Sequence, residues 1–291
     1  MERSIHTAVS NAPVAALRGD YTRIQPDHTI EQDWSAYTAA EHALWRKLYD
    51  RQMRLVPQYA CEEFLHTLER LDASGGIPRF GEISRKLRRA TGWELVAVPG
   101  LIPDLAFFEH LAHRRFPVTD WLRRPEEAEY IVEPDVFHDF FGHVPLLFDP
   151  VYADYMAAYG EGGLKAAQLD SLKHLARLYW YTVEFGLMRT SDGLRVYGAG
   201  LLSSPGELLY AVESGEPRRV RFDLERLLRT EYRIDRFQDT YFVIDGFEQL
   251  IADTASDFAP VYDRIRRLPP IAPDEASWDD VVVRRSAARP Q

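Results

Sequence analysis

Two histidines five residues apart, His138 and His143, and a glutamate further along, Glu184, are the side chains best suited to hold a metal ion together. The histidines lie in EPDVFHDFFGHVPLLFDP, residues 133–150. On an unbroken α-helix, side chains five apart diverge by about 140°, because each residue turns about 100°. They can share one ion only if the helix ends between them. Gly142 and Pro145 supply such a break, since glycine can close a helix in the left-handed conformation and proline cannot continue one. A helix over roughly 134–142 is therefore expected, with His138 on its last turn and His143 on the reversal. Phe137, Phe140, Phe141, Val144, Leu146 and Leu147 make the setting apolar, so neutral imidazoles there need partners. The plainer alternative is a pair of histidines at a helix end that bind nothing.

The third ligand should be a carboxylate with no other reason to be buried. Glu184 lies in LYWYTVEFGLM, and its neighbours three and four residues away are Tyr181, Trp180, Leu187 and Met188. No cation stands at salt-bridge spacing. Buried and unpaired, the carboxylate must protonate or carry a large desolvation cost, and a metal removes that cost. A protonated or water-linked glutamate at a pocket edge is the competing reading. Two histidines and one carboxylate leave coordination positions open, as in non-haem Fe(II) oxygenases. Zinc hydrolases use the same ligand types. The chain has no HExxH, and its candidate segments are aromatic and apolar, which favours oxidative chemistry on an apolar substrate.

Helices must position these groups. Thr38-Ala-Ala-Glu41 is a capping box ahead of Leu44, Trp45, Leu48, Tyr49 and Met53 at helical spacing. A second helix is expected through Phe64, Leu65, Leu68 and Leu71, and a third from Pro78 through Ile83 and Leu87 to Gly92. WELVAVPGLIP, residues 93–103, reads as a strand and a Pro-Gly turn. Residues 104–123 start as helix and break at Phe116-Pro117, and a long helix is expected at about 168–189. Ser204-Pro205-Gly206-Glu207 marks another helix start. Strand-like runs near 194–198, 218–222 and 240–244 are short and scattered. The fold class is mainly α, with a few short β-ribbons. Residues 1–30 are expected to form an arm, 31–268 one catalytic domain and 269–291 a tail that wraps the surface or frays.

The 291 residues are 46% hydrophobic, enough for one large core or two modest ones. A net charge of -10 argues against a nucleic-acid or anionic-membrane partner, both of which reward a basic surface. The single cysteine, Cys61, excludes an intramolecular disulfide and a thiolate-rich metal site, and its CEEFLHTLERL context reads as core. No apolar run of about 18 residues and no signal-like start are present, so a cytoplasmic protein without a transmembrane helix is expected.

PDVFHDFFGHVPLL, YWYTVEFGL and YGAGLLSSPGEL, in this order and spacing, resemble the signature blocks of the tetrahydropterin-dependent aromatic amino acid hydroxylases, most of all the bacterial members that act on phenylalanine. The resemblance spans about residues 30–265. It implies a mainly helical catalytic domain that converts L-phenylalanine to L-tyrosine with O2 and a tetrahydropterin such as tetrahydrobiopterin. One oxygen atom then leaves on the pterin and the other enters the ring. His138, His143 and Glu184 match the family's Fe(II) ligands. Arg123, in WLRRPEE, matches the arginine that clamps the substrate carboxylate through two parallel hydrogen bonds. By itself it would read as an exposed charge beside Arg124. Ser203 matches a substrate-pocket serine and Trp180 the aromatic wall of that pocket; alone they read as a helix-entry residue and a core tryptophan.

On the cofactor side, Phe107 matches the ring that stacks on the pterin, and Gly100 and Ile102 the loop that meets its edge. Asp139 stands where animal members carry a glutamate, so a water-bridged contact is expected, and Tyr179 is a further pterin-side residue. Pro117 replaces a pterin-contacting histidine of the animal members. Too little chain flanks the catalytic region for their regulatory domain or tetramerisation helix, so a monomer is expected. Ile234 occupies a position that is apolar in phenylalanine hydroxylases and acidic in tyrosine hydroxylases. An apolar residue leaves a buried phenol without a partner, at a cost of about 1–3 kcal/mol. Trp180 likewise fits the tryptophan enzyme less well. Phenylalanine is the preferred substrate, with tyrosine or tryptophan hydroxylation, a zinc hydrolase and a non-catalytic binding module as the alternatives.

Overall fold

The computed structural model describes residues 18–283 except Tyr130, Val132 and Asp279. Thr38 starts helix α1 (Ala39–Gln52) as its sequence predicts: its side chain accepts from the Glu41 N–H, and the Glu41 carboxylate accepts from the Thr38 N–H at 2.7 Å. The short α2 (Val56–Tyr59), α3 (Glu62–Leu68) and α4 (Phe80–Ala90) follow. α3 ends a turn before the expected Leu71, although Leu71 is still buried. Cys61 is a buried core thiol, and burial pushes its pKa up.

Strand β1 (Glu94–Val98), helix α5 (Asp104–Ala112) and strand β2 (Arg115–Thr119) form a parallel crossover unit. Phe116-Pro117 therefore lies within a strand and is more than a helix break. Proline is tolerated there because the sheet has only two strands, so β2 is an edge.

Next comes the longest helix, α6 (Pro150–Gln168), which the sequence reading did not anticipate. Two of its glycines serve packing: a Cβ at Gly160 would lie 2.3 Å from Ala112 N, and one at Gly163 1.9 Å from the Phe108 ring on α5. The local signal was present in Asp149-Pro150, where the Asp149 carboxylate accepts from the Tyr152 N–H at 2.9 Å.

The helix expected over 168–189 is three pieces: α7 (Leu172–Tyr179), a π-helical turn (Trp180–Glu184) and strand β3 (Leu187–Thr190). The chain continues through β4 (Gly193–Val196), α8 (Ala199–Ser203), α9 (Pro205–Glu213), β5 (Arg218–Arg221) and α10 (Leu224–Arg229). It ends with β6 (Thr240–Ile244), α11 (Phe247–Thr254) and α12 (Ala259–Ile265). The expected scattered ribbons are one four-stranded sheet of order β4-β3-β6-β5, antiparallel only at β3–β4.

Residues 1–17 of the expected arm and 284–291 of the tail lie outside the described residues. Within the described part, the Ile30 N–H bonds to Ala97 O on β1 at 2.8 Å. Near the end of the described residues, Val282 bridges Val220 on β5 and Asp280 pairs with the buried Arg226 at 2.8 Å. Among the described residues no helix is long and apolar enough to cross a membrane.

Two buried tyrosines differ in a way that stability measurements should register. The Tyr181 hydroxyl donates to Glu231 O at 2.6 Å, whereas the Tyr197 hydroxyl is buried without a partner among the described residues. Removing a satisfied hydroxyl costs about 1 kcal/mol, and removing an unsatisfied one costs little or gains. Tyr197→Phe is expected to leave Tm unchanged or raise it, and Tyr181→Phe to lower it, in thermal melts of the two variants side by side.

Candidate metal centre and its two cavities

The histidines share one face by a different route from the expected helix break. Residues 136 and 137 are α-helical, and His138–His143 then winds as a π turn. In π geometry the backbone bonds run from i to i+5. Each residue turns through less than 100°, so side chains five apart come nearly over one another. Gly142 does not close the helix: a Cβ there would lie 2.8 Å from both Cβ and O of Ala199, so glycine lets α8 press against the turn. Pro145 opens the next 3-10 turn (Pro145–Phe148). Glu184 ends the second π turn, so all three candidate ligands ride on widened helix.

His143 Nε2 lies 3.2 Å from Glu184 Oε1, and His138 Nε2 lies 3.5 Å from Oε2. The three side chains form the one group among the described residues whose ligand atoms all fall within 4.8 Å of one another. Ligand atoms about 2.1 Å from an ion and at right angles stand about 3.0 Å apart, so this spacing fits adjacent positions around one ion. The donor set, two imidazoles and a carboxylate, suits iron. His138 Nδ1 meets Ser203 Oγ at 2.9 Å, which leaves Nε2 for a metal.

The electrostatics agree. Burial disfavours a charged His138, but Glu184, Asp139 and Asp135 together outweigh burial and raise its pKa. Burial alone would raise the Glu184 pKa, yet His143 and His138 hold it below the ordinary carboxylate value. A metal ion would take the place of protons on this triad.

Two cavities meet at these ligands. One is lined by Arg123, Trp180, Ser203 and Ile234, together with His138 and Glu184. The other is lined by Gly100, Ile102, Phe107 and Asp139, together with His143. Tyr179 lines both, and Pro117 lies on the wall of the second. Every residue expected to contact substrate thus borders the first cavity, and every one expected to contact cofactor borders the second.

Arg123 is 4% exposed and is not the surface charge its neighbour Arg124 suggests. Asp135 aligns it, accepting from Arg123 Nε at 2.8 Å and Nη2 at 2.7 Å, and also from the His138 backbone N–H at 3.0 Å. Burial works against the Asp135 charge, but Arg123 keeps its pKa low. The sequence reading missed Asp135; its signal was a carboxylate three residues before a helical histidine. Asp139 accepts from the Thr119 N–H at 2.8 Å, and burial raises its pKa.

Tyr232, Gln238 and Glu207 also escaped the sequence reading. Tyr232 stacks on Trp180 at 4.4 Å and 16°, and Gln238 Oε1 accepts from Trp180 Nε1 at 3.0 Å. Glu207 Oε1 accepts from the Gln238 N–H and the Tyr241 hydroxyl, each at 2.9 Å, while burial pushes its pKa up to about 7.

Two predictions follow from these bonds. Ser203→Ala frees the His138 ring and should weaken Co(II) or Fe(II) binding roughly 10- to 100-fold in a chelator competition, with little change in Tm. For Glu207, the folded pKa is above the reference value of 4.5, so the folded state binds the proton more tightly. The stability linked to that proton is complete below the unfolded pKa and is lost as pH rises through about 7. Glu207→Gln keeps an acceptor without the charge. Urea melts between about pH 5 and pH 8 should therefore show wild type losing stability relative to the variant as pH rises.

Residues 18–267 match the family model described as biopterin-dependent aromatic amino acid hydroxylase. The phenylalanine-4-hydroxylase of Ralstonia nicotianae is 57% identical over 265 residues, covering 91% of this chain and 85% of the relative. That of Chromobacterium violaceum is 56% identical over 258 residues, covering 88% and 87%. A crystal structure of the Chromobacterium violaceum enzyme with iron and phenylalanine bound superposes with a TM-score of 0.86 at 54% identity, covering 92% of this chain and 97% of that one. Another, with iron(III) and 7,8-dihydrobiopterin, gives 0.85 at 55% identity and covers 88% and 93%. The chain belongs to the biopterin-dependent aromatic amino acid hydroxylases.

Proposed function

We propose that the protein is a phenylalanine 4-monooxygenase, converting L-phenylalanine to L-tyrosine with O2 and a tetrahydropterin at an Fe(II) site formed by His138, His143 and Glu184. The observation that carries this reading is the position of the triad at the junction of two cavities, each bordered by a different set of expected contacts. Iron and a reduced pterin, when bound, supply the activation of O2 that no side chain can perform. Family membership sets aside the hydrolytic alternative.

The chain's own residues bind, orient and exclude water. Arg123, held in place by Asp135, offers the free part of its guanidinium to the substrate carboxylate. Trp180 and Ile234 present apolar surface to the ring, and Ile234 gives a phenol hydroxyl nothing to bond, which favours phenylalanine over tyrosine. Phe107 supplies an aromatic face on the pterin side, where Gly100, Ile102, Asp139 and Tyr179 border the same cavity. Ser203 holds the His138 ring in the tautomer that ligates through Nε2. We place the catalytic domain at residues 31–268, with an arm at 1–30 and a tail at 269–291. The protein is read as a cytoplasmic monomer acting on the free amino acid.

Tyrosine formation from phenylalanine is the test, using iron-loaded protein and a synthetic tetrahydropterin. O2 uptake should depend on the pterin, and zinc-loaded protein should be inactive. Folded, iron-loaded protein that forms no tyrosine would sink the assignment. Arg123→Lys is expected to raise the phenylalanine KM at least about tenfold, because a point charge cannot replace the guanidinium fork.

A further inference from the structure

Gln238 lies in the irregular segment between α10 and β6, 3% exposed, at the edge of the substrate cavity. Its amide is bonded on both sides. Oε1 accepts from Trp180 Nε1 at 3.0 Å, while Nε2 donates to Arg233 O at 3.0 Å and Arg236 O at 3.4 Å. Chemistry sets this orientation, since an indole N–H can only donate and a backbone carbonyl can only accept. The Gln238 backbone N–H in turn donates to Glu207 Oε1, which also takes the Tyr241 hydroxyl. A continuous chain of hydrogen bonds thus runs from α9 and β6 to the indole nitrogen.

Stacking and hydrogen bonding constrain Trp180 differently. Tyr232, nearly parallel at 4.4 Å, and Phe185, tilted at 4.7 Å, set the plane of the indole. Neither fixes its direction within that plane, because stacking tolerates sliding and rotation. The bond to Gln238 does fix it, and with it the outline that the wall presents to the cavity.

We propose that Gln238 is a positioning residue for substrate selection, locking the Trp180 indole so that the cavity fits a single phenyl ring and disfavours a fused bicyclic one. This rests on the phenylalanine hydroxylase reading above. It assigns Gln238 no contact with the reacting atoms; the residue acts through Trp180.

A double-mutant cycle tests it, with phenylalanine binding to anaerobic iron-loaded protein measured by calorimetry alongside steady-state kinetics. Gln238→Leu should weaken phenylalanine binding about tenfold, raise the ratio of tryptophan to phenylalanine kcat/KM, and leave the pterin KM within about twofold. In a Trp180→Phe background the same substitution should cost at most about threefold, because its target N–H is gone. Gln238→Met keeps the side-chain length with only a weak sulfur acceptor and should weaken phenylalanine binding about as Gln238→Leu does. Equal penalties in the two backgrounds or an unchanged substrate ratio would overturn the proposal. Should Gln238→Leu fail to fold, Gln238→Met and its cycle partner carry the test. Wild-type protein that binds phenylalanine without forming tyrosine would count against the assigned reaction alone. Active wild type with an unaltered Gln238→Leu would count against this inference alone.

Discussion

A carboxylate buried between two imidazoles is the constraint around which the rest of the molecule is arranged. Glu184 has no arginine or lysine within ion-pairing distance among the described residues, and its oxygens face His138 and His143 at 3.5 and 3.2 Å. Such a charge is costly in an apolar interior unless something positive sits against it. Protons on the histidines can meet that need, and a divalent ion meets it better, since it draws on all three lone pairs at once. Metal affinity and local stability are therefore two aspects of one electrostatic requirement.

Convergence of the three candidate ligands depends on an uncommon backbone device used twice. An ordinary helix would point His138 and His143 about 140° apart. Widening to π geometry at His138–His143, and again at Trp180–Glu184, turns both segments so that their ligands face one another. π turns sit inside α-helices at an energetic disadvantage and are frequent at functional sites. Here close packing holds them: α8 presses on Gly142, and the Tyr155 hydroxyl lies 3.1 Å from Thr182 Oγ1 inside the second turn.

Around the ligands lies a layer of side chains whose work is orientation. Ser203 aligns a ligand, Asp135 aligns Arg123, and Gln238 aligns Trp180. Each contributes a short hydrogen bond from a buried position, where water does not compete and geometry is held tightly. Separate cavities reach the triad through His138 and Glu184 on one side and His143 on the other.

How much of this was legible beforehand depended on how local the physics is. The candidate ligand group, the Thr38 capping box, the Ser204-Pro205 helix start and the strands near 218–222 and 240–244 are written in short windows of residues, because capping, apolar periodicity and lone-pair chemistry act over a few positions. The three signature blocks extended that reach to Arg123 and the pterin side by resemblance. Invisible from the chain alone were α6, which carries three glycines and packs on Phe108 through Gly163, and the π winding, which packing selects against local preference. The same holds for the strand order of the sheet and for Asp135, Tyr232 and Gln238. Their meaning lies in partners 12, 52 and 58 residues away, and only tertiary folding brings those partners within hydrogen-bonding or stacking distance.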